Sequence, residues 1–157
     1  MPPTNRWVLL AYRLPREPST PRIAIWRQLR RLGVAQVSDG VVALPLDART
    51  REQLEWVAET VIDHHGEATV WLAEPGAAAQ GRALARQMSD GIEAEYDGLI
   101  ARATAALGES EAAQRRTLAA LRRELGRIGP RDFFPSSARD RARAAVERLS
   151  VRVEAAS

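Results

Sequence analysis

The chain contains no cysteine and no lysine, and each absence narrows what it can do. Without cysteine there are no disulfides, no thiolate metal sites and no cysteine nucleophile. Without lysine, all 23 basic residues are arginine. That is the plain signature of a GC-rich genome, but it has a physical consequence. Arginine presents a planar fork that grips phosphate or another oxyanion bidentately, which lysine cannot do. Apolar runs such as WVLL are far too short to span a bilayer. No charged, apolar and small-residue series reads as a signal peptide, so a cytoplasmic location without a membrane partner is expected. The glycines match neither the dinucleotide fingerprint nor the phosphate loop.

Catalytic signals are equally sparse. His64 and His65 are adjacent at the end of a predicted helix, where a positive charge suits the helix dipole. Neighbouring side chains on a helix point about 100° apart, so the pair reads as a cap or a wet surface rather than a metal site. Neither has a Ser or Asp arrangement that would make a nucleophile. Glu93, Glu95 and Asp97 of GIEAEYD spread around a helix and read as a solvated acidic face. No enzyme activity, metal or cofactor is expected.

What is present fits a soluble globular protein. At 157 residues, with 45% hydrophobic and 27% charged residues, the chain can form one domain, or a small domain with a helical extension. The net charge of +3 hides an uneven distribution. Residues 1–31 carry seven arginines against Glu17 alone, a local +6. Residues 32–75 carry a local −6, and residues 112–157 again +6. Two basic regions therefore flank an acidic one.

Residues 7–14 (WVLLAYRL) read as a strand ended by Pro15 and the turn cluster REPSTP. Ser19 or Thr20 can cap a helix with Pro21 in its first turn, running to Leu32 and stopping at Gly33. Ile25, Leu29 and Leu32 share one face of it, and Arg27, Arg30 and Arg31 the other. Residues 34–37 and 41–44 are short strands joined by Ser38-Asp39-Gly40. Thr50 with Gln53 reads as a capping box opening a helix with Leu54, Val57 and Val61 on one face, ending near Gly66. EATVWLA (67–73) is the fourth strand. The order β-α-β-β-α-β is the ferredoxin-like or split βαβ pattern, expected over residues 1–75 of an α+β protein.

Residues 76–157 show only helical signals, for a C-terminal extension of about three helices. Leu84, Met88, Ile92, Tyr96, Leu99 and Leu107 mark a long amphipathic helix. Leu118, Leu121, Leu125 and Ile128 follow, then Ala142, Val146, Leu149 and Val153. Such narrow seams need partner helices, from this chain or from a second copy in a homodimer. Between the last two helices RDFFP reads as an anchor for the extension.

The cluster around the first helix is the one candidate site. Arg13 and Arg16 leave the end of the first strand, and Arg22, Arg27, Arg30 and Arg31 lie on the helix. Trp26, bordering the apolar face and expected to be partly core, can take a guanidinium in a cation–π contact. Solvated helix side or anion-attracting patch are both open on spacing alone.

WVLLAYRLPREPSTPRIAIWRQLRRLG, DGVVALP, EQLEWVAE and GEATVWL, followed by EAEYDGLIARA and IGPRDFF, resemble the N-terminal domain of the ChrB chromate-resistance regulators over residues 6–150. The resemblance implies a transcriptional regulator that binds operator DNA, responds to chromate and controls a chromate-efflux transporter. Chromate is a tetrahedral dianion like sulfate, so a guanidinium cluster at a helix N-terminus suits either as an oxyanion ligand, and the Thr20–Arg22 helix start beside Arg13 is the expected pocket. Members often carry a second domain, so a separate C-terminal-type sensor protein joins the expected partners. The rival reading is an interaction module that docks such a partner. The first domain also looks like the module of small CRISPR-associated nucleases and of phenylacetate-pathway repressors. Where the nucleases need a metal-binding aspartate after the first strand, this chain reads Ala11-Tyr12-Arg13, and a cation there repels a metal.

Overall fold

The computed structural model describes residues 5–157. Its elements are β1 (Trp7–Arg13), α1 (Thr20–Leu32), β2 (Ala35–Ser38), β3 (Val41–Pro45), α2 (Ala48–Asp63), β4 (Glu67–Ala73), α3 (Ala78–Ala106), α4 (Glu111–Ile128) and α5 (Ser137–Ala155). The protein is thus a mixed α+β chain, with a four-stranded antiparallel sheet in the order β2-β3-β1-β4. Packing divides it into two compact units, one through Met88 and one over Ser89–Ser157.

In the first unit, side chains alternate between sheet faces. Val8 and Leu10 of β1 lie opposite Leu44 and Val42 of β3, and all four are completely buried. Their face carries the two helices: α2 packs against β1 and β4, and α1 against α2. Ile25 and Leu29 of α1 and Leu54, Val57 and Val61 of α2 close this core. Each such aliphatic side chain contributes about 1.5–3 kcal/mol of transfer free energy. Trp7 and Leu9 point to the opposite face.

Local signals account for most boundaries. Pro21 sits in the first turn of α1, where its missing N–H costs nothing. Gly33 ends the helix in the left-handed region (φ 82°), its N–H donating to the Arg30 carbonyl at 3.1 Å. The start of α2 departs from expectation. Asp47, not Thr50, is the cap: its Oδ1 accepts from the Thr50 N–H at 2.7 Å, and Thr50 Oγ1 accepts from the Asp47 N–H at 3.0 Å. Thr50 is completely buried and its hydroxyl also donates to the Pro45 carbonyl at 2.6 Å. That link to β3 pulls Thr50 inside the first turn, so the helix begins one turn's reach earlier.

The two sheet edges differ. β2 is short and bulged between Gln36 and Ser38. The side-chain amide of Gln87, on the first part of α3, accepts from the Gln36 N–H at 2.7 Å and donates to the Gln36 carbonyl at 3.4 Å. A glutamine thereby takes the place of a neighbouring strand and blunts this edge. β4 contains no buried residue. Its Trp71 and Leu72 are both largely exposed, and the Trp71 indole N–H donates to Thr69 Oγ1.

The second unit is a three-helix assembly of residues 89–106, α4 and α5. Ile92, Tyr96, Leu99, Leu121 and Leu149 are among its buried residues, with alanines filling the close approaches. The apolar seams read from the sequence thus find partners within the chain. RDFFP is fastened through its polar residues. Arg131 donates bidentately to Glu95 at 2.7 and 3.0 Å, and Asp132 accepts from the Tyr96 hydroxyl at 3.0 Å.

Candidate functional site

Five of the seven residues singled out in the sequence line one groove of about 470 Å³ in the first unit. Arg13 comes from the last position of β1, and Arg22, Trp26, Arg27 and Arg30 from α1. Tyr12, Leu14, Ile23 and Gly40 complete the lining. Arg16 lies in the β1–α1 loop and Arg31 on α1; both are exposed and neither lines the groove. Of the Thr20–Arg22 helix start, Arg22 lines the groove beside Arg13 and Thr20 does not.

The placement follows from helix geometry. Ile25 and Leu29 take the core face, and side chains one position away point about 100° aside. Trp26, next to Ile25, therefore keeps 40% of its surface exposed, and Ile23, about 200° round from Ile25, keeps 47%. The border position that suggested a partly core tryptophan instead puts its indole in the groove. Residues four apart stack along a helix face, so Arg22, Trp26 and Arg30 form a row.

The far wall depends on a tight contact. The Tyr12 N–H donates to the Gly40 carbonyl at 2.8 Å. Gly40 has φ 72°, and a Cβ there would stand 2.6 Å from the Tyr12 carbonyl oxygen. Only glycine fits both demands. Burial raises the Tyr12 phenol above its ordinary value of 10.0, so it stays neutral at physiological pH.

Electrostatically the groove is one-sided. Among the described residues, no carboxylate lies within 4 Å of the guanidinium of Arg13, Arg16, Arg22, Arg27, Arg30 or Arg31. Arg30 and Arg31, in the last turn of α1, suit the helix dipole. Arg22 is placed against it. The first turn of α1 has no acidic residue, and Ser19 makes no side-chain cap. A cation at that end costs about 0.3–1 kcal/mol, which an incoming anion would reverse.

Tyr12, Ile23 and Gly40 were missed as site residues. The pairing of Ile23 with Trp26, apolar side chains off the core face of an arginine-rich helix, is the signal that could have found Ile23; Tyr12 and Gly40 come from elements no local pattern places beside it.

The other candidates have structural roles. His64 is the C-cap of α2, with Nδ1 2.9 Å from the Thr60 carbonyl, and His65 adopts the left-handed turn conformation at φ 65°. Of the acidic trio, Glu95 pairs with Arg131, and Asp97 lies 3.8 Å from Arg141. Among the described residues no group of three His, Cys, Asp or Glu could hold a metal ion, and no helix is long and apolar enough to cross a membrane. A second cavity of about 460 Å³ lies between Trp7 and Leu9 on the sheet and Gln80 and Leu84 on α3. Its single charged lining residue is Glu74, so it has none of the groove's cationic character.

Comparison with known proteins adds three findings. The family described as Protein ChrB, N-terminal, matches residues 22–157. Protein ChrB of Cupriavidus metallidurans is 32% identical over 149 residues, which is 89% of this chain and 44% of that protein. The chain thus spans less than half of that relative's length. Among solved structures, the uncharacterized protein Rv0674 from Mycobacterium tuberculosis is similar in fold, with a TM-score of 0.53 and 16% identity over 96% of this chain and 63% of the other.

Proposed function

The chain belongs to the ChrB N-terminal family, and from that premise we propose that it is a non-enzymatic regulator of chromate resistance that binds operator DNA and controls chromate-efflux genes. The observation that carries the DNA-binding part is the groove in which Arg13, Arg22, Arg27 and Arg30 converge without a carboxylate partner. Unpaired guanidinium groups attract phosphate strongly and bind it bidentately. Arg16 and Arg31 extend the positive field beyond the groove.

The same chemistry suits chromate or sulfate, each a tetrahedral dianion that two guanidinium forks can hold. The sheet order read from the other edge is β4-β1-β3-β2, and with the split β-α-β connections this supports a ferredoxin-like assignment for the first unit. A cytoplasmic location and a separate sensor protein as partner belong to the same reading. Homodimerisation through the helices has its best support at Val151, which is 55% exposed on α5 beside Leu107 and Ala155.

One observation favours the interaction-module reading. Trp56 is 66% exposed and Ile62 55% exposed on α2, and large apolar side chains on a surface suit a protein partner.

Fluorescence anisotropy of the purified chain on the DNA upstream of its own operon, over a salt series, tests the proposal. Unrelated DNA is the control, with chromate and sulfate added separately. The regulator predicts preference for the upstream DNA and release by chromate. Equal, salt-fragile binding to any DNA, or none, overturns it in favour of the docking module.

A further inference from the structure

The groove's chemistry is richer than an anion site needs. A tetrahedral oxyanion requires charge and hydrogen-bond donors, and apolar neighbours only strip its hydration. Here Trp26, Ile23 and Tyr12 line the same space as the four arginines. The groove, of about 470 Å³, is larger than one oxyanion needs. Trp26 lines a recess between α1 and the end of β1, with the arginines around it.

The row along α1 has a definite rhythm. Arg22 and Arg30 each lie four residues from Trp26, hence about 6 Å along the helix axis on either side. Charge, flat ring, charge is the complement of a nucleic-acid strand, in which bases alternate with phosphates. Tyr12 also lines the groove, and its phenol, neutral at physiological pH, does not repel a phosphate.

We propose that this groove holds one unpaired base of a single-stranded DNA segment against Trp26, with the flanking phosphates on Arg22 and Arg30. The proposal rests on the reading of the groove as a DNA-binding site and names the part of the DNA that enters it. Stacking of a base on an aromatic side chain, together with a cationic channel for the backbone, is how single strands are held without sequence preference.

Anisotropy with the full chain tests it, using a fluorescein-labelled oligothymidylate, a matched strand of abasic residues and a matched duplex of upstream sequence. Base stacking makes oligothymidylate bind about 5- to 100-fold more tightly than the abasic strand. Trp26→Ala should remove most of that difference while leaving abasic binding unchanged, and Trp26→Phe should keep most of it. Equal affinity of the wild-type chain for the two single strands overturns the proposal, and needs no variant. So does an equal loss on both strands in Trp26→Ala, once circular dichroism shows the variant folded. Specific duplex binding with no preference for bases over abasic residues sinks this inference but leaves the regulator standing. Failure to bind any DNA sinks both.

Discussion

The first and last parts of the chain carry the same local charge, +6 over residues 1–31 and +6 over residues 112–157, yet they use their arginines differently. Within residues 112–157 Arg131 grips Glu95, Arg141 lies near Asp97 and Arg122 donates to Ser150 Oγ, and just before them Arg102 pairs with Glu124, while the other arginines of that stretch have no carboxylate within 4 Å among the described residues. On α1 and the end of β1 no arginine has a carboxylate partner among the described residues. The partners in the helical unit come from across the bundle, 22 to 36 residues away in sequence for the Arg102 and Arg131 pairs. Equal net charge in two stretches thus says nothing of which guanidinium groups folding pairs with acids.

Removing the free arginines should have the largest effect. If the groove binds DNA as proposed, Arg27→Ala with Arg30→Ala deletes two charge-assisted contacts to phosphate, at about 1.5–3 kcal/mol each. DNA affinity should fall roughly a hundredfold or more at low salt. The slope of log affinity against log salt should flatten by about two contacts' worth. Arg102→Ala with Arg141→Ala removes equal charge from the helical unit and should leave that slope nearly unchanged. Equal slopes for the two double variants would erase the distinction between the regions.

Next comes Arg131→Ala. Its side chain is only 18% exposed and bidentate, so urea denaturation should register a loss of about 1–3 kcal/mol. Gly40→Ala acts on the groove instead: strain at φ 72° and the short approach to Tyr12 should destabilise the first unit by about 1–3 kcal/mol. Heat or urea unfolding followed by Trp fluorescence would register it.

A pH dependence should be marked in the helical unit. Burial, then the hydrogen bond to Asp132 and its charge, push the Tyr96 phenol from 10.0 up to about 12. A phenol that holds its proton more tightly when folded contributes stability that is intact below pH 10 and is lost as the pH climbs from 10 to about 12. Tyr96→Phe should flatten that stretch of the stability profile. A profile unchanged by the substitution would remove Tyr96 as its source. The smallest effect is expected for Arg102→Ala alone, at about 0–1 kcal/mol, because its ion pair is solvent-exposed.

Much of the fold was legible from local pattern. The β-α-β-β-α-β order, Pro21 and Gly33 at the ends of α1, and the three apolar seams of the helical part all read directly from residue spacing. The cap of α2 was misread. Asp47 and Thr50 stand three apart in a reciprocal box, and Thr50's burial beneath the Pro45 carbonyl is a contact with β3 that no local pattern contains. RDFFP reads as anchoring the extension onto the domain core through its paired aromatics; the bonds of its polar residues Arg131 and Asp132 go to Glu95 and Tyr96 of the second unit.

The candidate site divides in the same way. Spacing alone put Arg27, Arg30 and Arg31 off the apolar face of α1, because a side chain's direction on a helix is fixed by its position. Whether Arg31 or Arg30 joins Arg13, and whether Tyr12 and Gly40 stand opposite, depends on how β1, α1 and the β2–β3 turn meet. By itself the sequence determined which segments become helix and strand and which side of each turns to water, since hydrophobic burial follows the periodicity of the local backbone. Tertiary structure alone decided which charges are neutralised and which ring faces which cation. Coulomb attraction and contact act over ångströms of space, and the partners that satisfy them come from distant parts of the chain.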